Sequence, residues 1–417
     1  MTSHPAPPVG PDPESIAFGQ RLQLLRTGRG MSRPVLAGLM GRSTSWLKQI
    51  ERGELRTPRL PVILRFAEVL RVRDLSELTG DQRLPVALFS GPGHTALESV
   101  RSAIDAFPLD EGPAPSPAHL RLRLDRAWAA RHSAPDHRTV VGALLPDLIR
   151  DARAAVRQVE EPAERRAAEA VLSEVYALAQ FFLAYQGDGS LLWRVAERGM
   201  VAAQESNDPH TVAVAAWLLA EAHRDSGHAH LDAAEEITRG ALEYLEPLLP
   251  DASEKEVSMA GALYAASGYT AARRGDAGTA WGHWDRAEGI ARRLPASHYH
   301  PITSFGRAVM GAHAVTIAVE LHAAGEAVRQ AGRTDGAALP SRPRRARHRI
   351  EEARAHHLDG RADTALAVLE RAHENAPETV RYNGYARRIL LEESESRRPA
   401  LRRRAAALAV RVGVLTA

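Results

Sequence analysis

No cysteine occurs among the 417 residues. Disulfides and thiolate metal sites are thereby excluded, and the usage matches a reducing compartment. Aromatic residues make up only 5% of the chain although apolar residues reach 44%, and alanine is abundant. Cores with so few rings and so many small side chains belong to packed helices. Lysine is almost missing as well: Lys48 and Lys255 are the only two, so arginine carries the positive charge. No apolar run approaches the ~20 residues that cross a bilayer, and the N-terminus lacks the apolar core of a signal peptide. A soluble, cytoplasmic protein with no membrane partner is expected.

Chemistry is missing too. The chain has no Gly-rich phosphate loop, no dinucleotide fingerprint, no HExxH and no Gly-x-Ser-x-Gly elbow, so neither an enzyme nor a cofactor is expected. Histidine pairs such as His298 with His300, or His356 with His357, stand without a cysteine or carboxylate spaced to complete a metal site. They read as solvated or capping residues, and no metal is expected.

What is there is concentrated near the start. Net charge over the chain is +3, yet from Ser15 to Leu60 nine basic residues face Glu51 and Glu54 alone, a local excess of +7. A positive field confined to one end suits phosphate binding. Within it, Ser32 to Gly53 reads as two short helices and a tight turn. Ser32 caps the first, Pro34 falls in its first turn, and Leu36, Ala37 and Met40 mark its buried side. Gly41 supplies the positive φ of the turn, and Ser43 caps a second helix from Thr44 to Arg52. Leu47 and Ile50 face inward from that helix. Thr44, Ser45, Lys48 and Gln49 are left on its outer side, a polar set suited to base edges in a major groove.

The order and spacing of Phe18, Leu22, Leu25 and Arg26, then Leu36-Ala37, Gly41, Ser43, Leu47 and Ile50-Glu51-Arg52-Gly53, resemble the phage repressor and Cro type of DNA-binding domain, the XRE family. The resemblance covers about Ser15 to Thr79. Pro34, Val35 and Trp46 depart from its usual residues. It implies base reading by Thr44, Ser45, Lys48 and Gln49. It also implies phosphate contacts from Arg33, Arg42, Ser43, Arg52, Arg56 and Arg59, the last two in the loop after Gly53. In that family an arginine late in the first helix often bonds the glutamate ending the recognition helix, which would join Arg26 to Glu51. A fourth helix from Leu60 to Leu70 and a short fifth near Leu75 and Leu78 complete a domain spanning 15–83.

Residues 1–14 are Pro-rich and read as a disordered arm, with no Arg or Lys to track DNA. Residues 84–117 carry two Gly/Pro breaker clusters around one helix, His94 to Phe107, and read as a linker. From 118 to 417 helix follows helix. Gly268, Ala280, Trp284 and Ala287, with Gly275-Asp276 between, stand where a tetratricopeptide repeat places its packing residues. Ala353, Ala365, Leu369, Ala372 and Pro377 repeat that spacing around Gly360, and Ala222, Ala234 and Ala241 do so more faintly. Arg342 to Arg349 is a basic run read as a loop and solvated helix start.

The fold class that follows is all-α: a five-helix phage-repressor-type helix-turn-helix domain, then an α-solenoid of degenerate tetratricopeptide-like hairpins. The combination resembles tetratricopeptide-containing regulators of actinomycetes and, more distantly, peptide-sensing regulators of other Gram-positive bacteria. That resemblance implies a transcriptional regulator, a homodimer on double-stranded DNA with an inverted-repeat operator, whose solenoid senses a peptide or small-molecule effector. Tyr264, Tyr269 and Trp281 are the candidate ligand groove, from an aromatic concentration in an aromatic-poor chain. The alternative is a DNA-tethered adaptor whose solenoid binds another protein.

Overall fold

The computed structural model describes residues 13–55, 58, 60–70, 72, 76–79, 93–106, 112–186 and 189–415, and every regular element among them is helical. The chain divides into two compact units, Met1–Phe89 and Ser90–Ala417. The Pro-rich arm, apart from its last residues, lies outside the described residues, as do Arg56 and Arg59.

The first unit holds α1 (Pro13–Gly28), α2 (Arg33–Leu39), α3 (Thr44–Glu51), α4 (Leu60–Val69) and α5 (Ser76–Thr79). The two serine caps form. Ser32 Oγ accepts from the Val35 N–H at 3.4 Å, and Ser43 Oγ from the Trp46 N–H at 3.2 Å. Gly41, with φ of 63°, turns the chain between α2 and α3, a conformation costly for any residue with a Cβ. Phe18, Leu22, Leu36, Leu47, Phe66, Leu70 and Leu78 close one core. Gly19 lets α1 cross the end of α3 closely, since a Cβ there would stand 2.4 Å from the Ile50 carbonyl oxygen.

The second unit begins earlier than the breaker clusters suggested. Its first helix, α6 (Leu97–Asp105), buries Val100, Ala103 and Ile104 in the same core as the helices that follow. Those are α7 (Pro117–Ser133), α8 (His137–Gln158), α9 (Pro162–Leu183), α10 (Gly189–Ser206), α11 (Pro209–Asp225) and α12 (Leu231–Leu245). Next come α13 (Glu254–Arg274), α14 (Ala277–Arg293), α15 (Met310–Glu320), α16 (Ala324–Arg333), α17 (Arg342–Leu358) and α18 (Ala362–Asn375). The short α19 (Pro377–Tyr382), then α20 (Gly384–Ser394) and α21 (Pro399–Val412), complete the series. Neighbours in sequence pack as hairpins and each hairpin leans on the next, the arrangement of a tetratricopeptide-like solenoid.

The small residues explain the close pairing. In the hairpin of α13 and α14 a Cβ on Gly268 would lie 3.0 Å from the Ala280 carbonyl oxygen, and Ala280 and Ala287 are fully buried. Gly275 ends α13 in the left-handed region, and Asp276 caps α14 by accepting from the Thr279 N–H at 3.0 Å. Ala353, Ala365, Leu369 and Ala372 play the same part in α17 and α18, as do Ala222, Ala234 and Ala241 in α11 and α12. The solenoid then closes on itself. α7 packs against α17, with His132 Nδ1 2.9 Å from Ser341 Oγ, and α19 reaches the start of α8.

Candidate nucleic-acid interface and inner cavity

On α3 the period of the helix separates two faces. Leu47 and Ile50 are buried, while Thr44, Ser45, Lys48 and Gln49 are all exposed. Trp46 does not join the outer face: its ring stacks on Phe66 with centroids 5.9 Å apart and planes within 7°, and the Arg42 guanidinium lies 5.7 Å from its centroid. The bulky residue is thus drawn against the core, and the polar ridge stands clear of it.

The end of α3 is clamped. Glu51, whose side chain has no exposure, takes the Arg26 Nε at 2.5 Å and its Nη2 at 3.2 Å. It also takes the Arg33 Nε at 2.5 Å. Arg26 donates further to the Met31 carbonyl at 2.7 Å, so one guanidinium ties α1, the loop before α2 and α3 together. Two cations on one buried carboxylate give orientation more surely than stability. Arg33, expected on a phosphate, is engaged with Glu51 on one edge and remains about one third exposed on the rest of its side chain. Arg42, Ser43 and Arg52 are exposed near the two ends of α3.

Residues 17–78 match a family model described as a helix-turn-helix domain. The first unit is a helix-turn-helix domain of the XRE type. It is the DNA-binding module of such proteins, and here it precedes a tetratricopeptide-like helical array. Among curated proteins no match is found. Among solved structures, the crystal structure of ComR from S. thermophilus in complex with DNA and its signalling peptide ComS aligns over 60% of this chain and 99% of its own, at 16% identity and a TM-score of 0.22. So low an overlap constrains neither ligand nor assembly.

The second unit holds a partly open cavity of about 240 Å³. α7, α8, α9, α11, α13, α15 and α17 all contribute to its wall, as does the 302–304 loop. Phe181, Trp217, Tyr269 and Ile302 form apolar parts of the lining, and five arginines with Glu221 and Asp225 form the charged part. Of the three aromatic residues expected in a groove, the structure brings Tyr269 to this wall and leaves the other two elsewhere. Tyr264 sits five positions before Tyr269 on α13, which at ~100° per residue turns it well away. Its ring instead faces His283, with centroids 6.0 Å apart. Trp281 packs with Trp284 and against the α15 core.

The arginine run after Pro340 is not a solvated start. Arg344 and Arg347 point into the cavity, and Arg354 farther along α17 pairs with Glu320 at 2.8 Å and Glu351 at 2.6 Å. The spacing 344, 347, 351, 354 places all four on one helical face, a signal present in the sequence but masked by the arginines between. Burial pushes the Glu221 carboxyl up to about 7, against the pull of Arg224. Burial also draws His313 down to about 3, with the Arg344 charge adding to it. For Arg347 burial disfavours the charge, but Tyr185 and Glu351 outweigh it and hold the guanidinium above its ordinary value. Among the described residues no group of three or more His, Asp or Glu side chains is placed to hold a metal ion. His300 is buried 2.8 Å from His210, each through Nε2, and His357 lies between Glu392 and Glu393.

Proposed function

We propose that the protein is a sequence-specific DNA-binding transcriptional regulator. The observation that carries this reading is the exposed ridge of Thr44, Ser45, Lys48 and Gln49 on a helix whose opposite face is buried and whose end is held by the Arg26–Glu51–Arg33 cluster. A ridge fixed in that way can present side chains to base edges without first ordering the helix. Arg42, Ser43, Arg52, Arg56 and Arg59 supply the phosphate contacts. The regulator works as a homodimer on an inverted repeat, since a single head of this size reads too few base pairs for a useful specificity ratio. Its solenoid senses an effector, and a partly open cavity of about 240 Å³ favours a small ligand, or one end of a peptide, over a second protein.

Selection of bound DNA from a random pool by the full-length protein tests the reading. An enriched palindrome with half-sites about 10 base pairs apart, or a multiple of that, is expected. A pool that stays unenriched while binding falls steeply with salt would reduce the domain to a non-specific binder.

A further inference from the structure

The charged groups around the cavity of the second unit are unevenly matched. Arg224 holds Glu221 at 3.5 Å, and Asp225 has Arg273 at 3.9 Å. Arg347 bonds the Tyr185 hydroxyl and, at 3.0 Å, Glu351. Arg138 donates to the Phe182 and Ala184 carbonyls. The Arg131 and Arg344 side chains make no hydrogen bond and no ion pair with any described residue. Arg131 lies over the Phe181 and Trp128 rings, 4.1 Å and 5.6 Å from their centroids, and Arg344 makes a polar contact to Ser341 through its backbone N–H. Both line the cavity.

Cations at a cavity wall that make no ion pair are costly to keep desolvated, although the Glu351 and Glu221 charges lie near enough to favour the Arg344 cation. Burial pushes Arg131 down to about 10, with the neighbouring Arg138 charge also opposing it. The same wall carries Phe181, Trp217, Tyr269 and Ile302 as its apolar and aromatic part, beside polar groups such as His137, Glu221 and Asp225. The volume of about 240 Å³ lies just under the ~300 Å³ at which pockets for drug-sized ligands begin. That space suits one ring or one branched chain with its acid group, not a folded peptide.

Resting on the reading of this unit as the sensor, we propose that the effector is a carboxylate attached to a compact apolar or aromatic body. Arg131 and Arg344 take the carboxylate, and the body lies against Trp217 and Tyr269. The carboxylate belongs either to a free organic acid or to the last residue of a peptide entering through the open side. The guanidinium fork matches two carboxylate oxygens at once, which gives the site its preference for acids over their neutral analogues.

The test uses the full-length protein without DNA, followed by tryptophan fluorescence and thermal melting. The probes are phenylacetate, phenylacetamide, phenyl phosphate, and a tetrapeptide ending in phenylalanine as free acid and as amide. Saturable binding of phenylacetate, at least about tenfold weaker for phenylacetamide, is expected. Tighter binding of the free-acid peptide than of phenylacetate would assign the carboxylate to a peptide end, and the reverse to a free acid. Arg131→Met and Arg344→Met should each weaken the acid by about tenfold or more. Arg344→Lys, which keeps the charge but not the fork, should fall between. Equal binding of acid and amide, preference for phenyl phosphate, absence of saturable binding by every acid, or wild-type affinity in the Arg131→Met, Arg344→Met double variant would each overturn the proposal. Operator selection needs no acid, so failure here with a normal operator result sinks this inference alone.

Discussion

Glu378 accepts a hydrogen bond at 2.6 Å from the backbone N–H of Arg138, 240 residues earlier in the chain. It also accepts from the Thr139 N–H at 3.3 Å and the Thr139 hydroxyl at 2.6 Å. α8 has no side-chain cap of its own, since Asp136 at its N-cap position makes no such bond. A carboxylate from α19 therefore does for α8 what a serine does locally for α2 and α3, and the charge suits the positive end of the helix. The contact closes the solenoid into a ring around the cavity.

Replacing Glu378 with Ala should lower the stability of the second unit by ~2 to 3 kcal/mol, because charged acceptors for two orphan N–H groups are lost. Glu378→Gln, which keeps the acceptor oxygen, should cost less. Urea unfolding followed by circular dichroism measures both. A midpoint for Glu378→Ala within error of wild type would mean that the ring is held elsewhere.

Acid should weaken the second unit from near neutrality downward. Burial pulls His132 and His348 down to about 4 and His313 to about 3, from an ordinary 6.5, with nearby Arg131 and Arg344 adding to it. These rings stay neutral in the fold while the unfolded chain takes up protons, so stability drops as pH falls from about 6.5 and is flat above about 7. Glu221, kept protonated in the fold up to about 7, acts in the opposite sense between about 4.5 and 7 but is one group against three. Glu378 follows at lower pH. Burial raises its carboxyl, but bonds from His94, Thr139 and the Arg138 N–H outweigh that and hold it at about 2. Its contribution is full above about 4.5 and vanishes toward about 2. Melting temperatures at pH 7.5 and pH 5 that coincide would contradict the assignment, and His313→Phe should shrink the difference.

Glu51→Ala should abolish operator binding and unfold the first unit, because Arg26 is left buried without its carboxylate, a loss of ~3 to 5 kcal/mol. Gly19→Ala should damage the same junction sterically, pressing a methyl on the Ile50 carbonyl. Helicity and operator binding of the full-length variants check both. Retained operator affinity in Glu51→Ala would show that α3 needs no clamp.

Gln49→Ala should relax the ranking of operator variants at a cost of ~1 to 3 kcal/mol for the best site, with non-specific binding little changed. Arg52→Ala should weaken all sequences alike and lower the salt slope by ~1. Should Gln49→Ala leave the ranking intact, the reading face is not the one proposed.

The dimer is the remaining expectation with a direct readout. Sedimentation of residues 90–417, a compact unit with its own core, should show a two-fold assembly at micromolar concentration. A monomer there would move the dimer contacts to the first unit or to the DNA.

The features legible in the sequence are those decided within a few turns of chain. Ser32 and Ser43 cap because an N-cap needs only its own next three residues, Gly41 and Gly275 turn because positive φ is a property of one residue, and Gly268 with Ala280 mark a hairpin because close packing needs only small side chains. The exposed polar ridge of α3 belongs with these, since it is one face of an eight-residue helix. What no local pattern contains is which distant faces meet. Arg131 and Arg344 share a cavity, Glu378 caps α8, and Tyr269 lines the wall while Tyr264 and Trp281 do not, only because the solenoid closes into a ring. Spacing shows that Arg344 and Arg347 share a face of α17, but whether that face looks to water or into a cavity is set by the helices packed across from it.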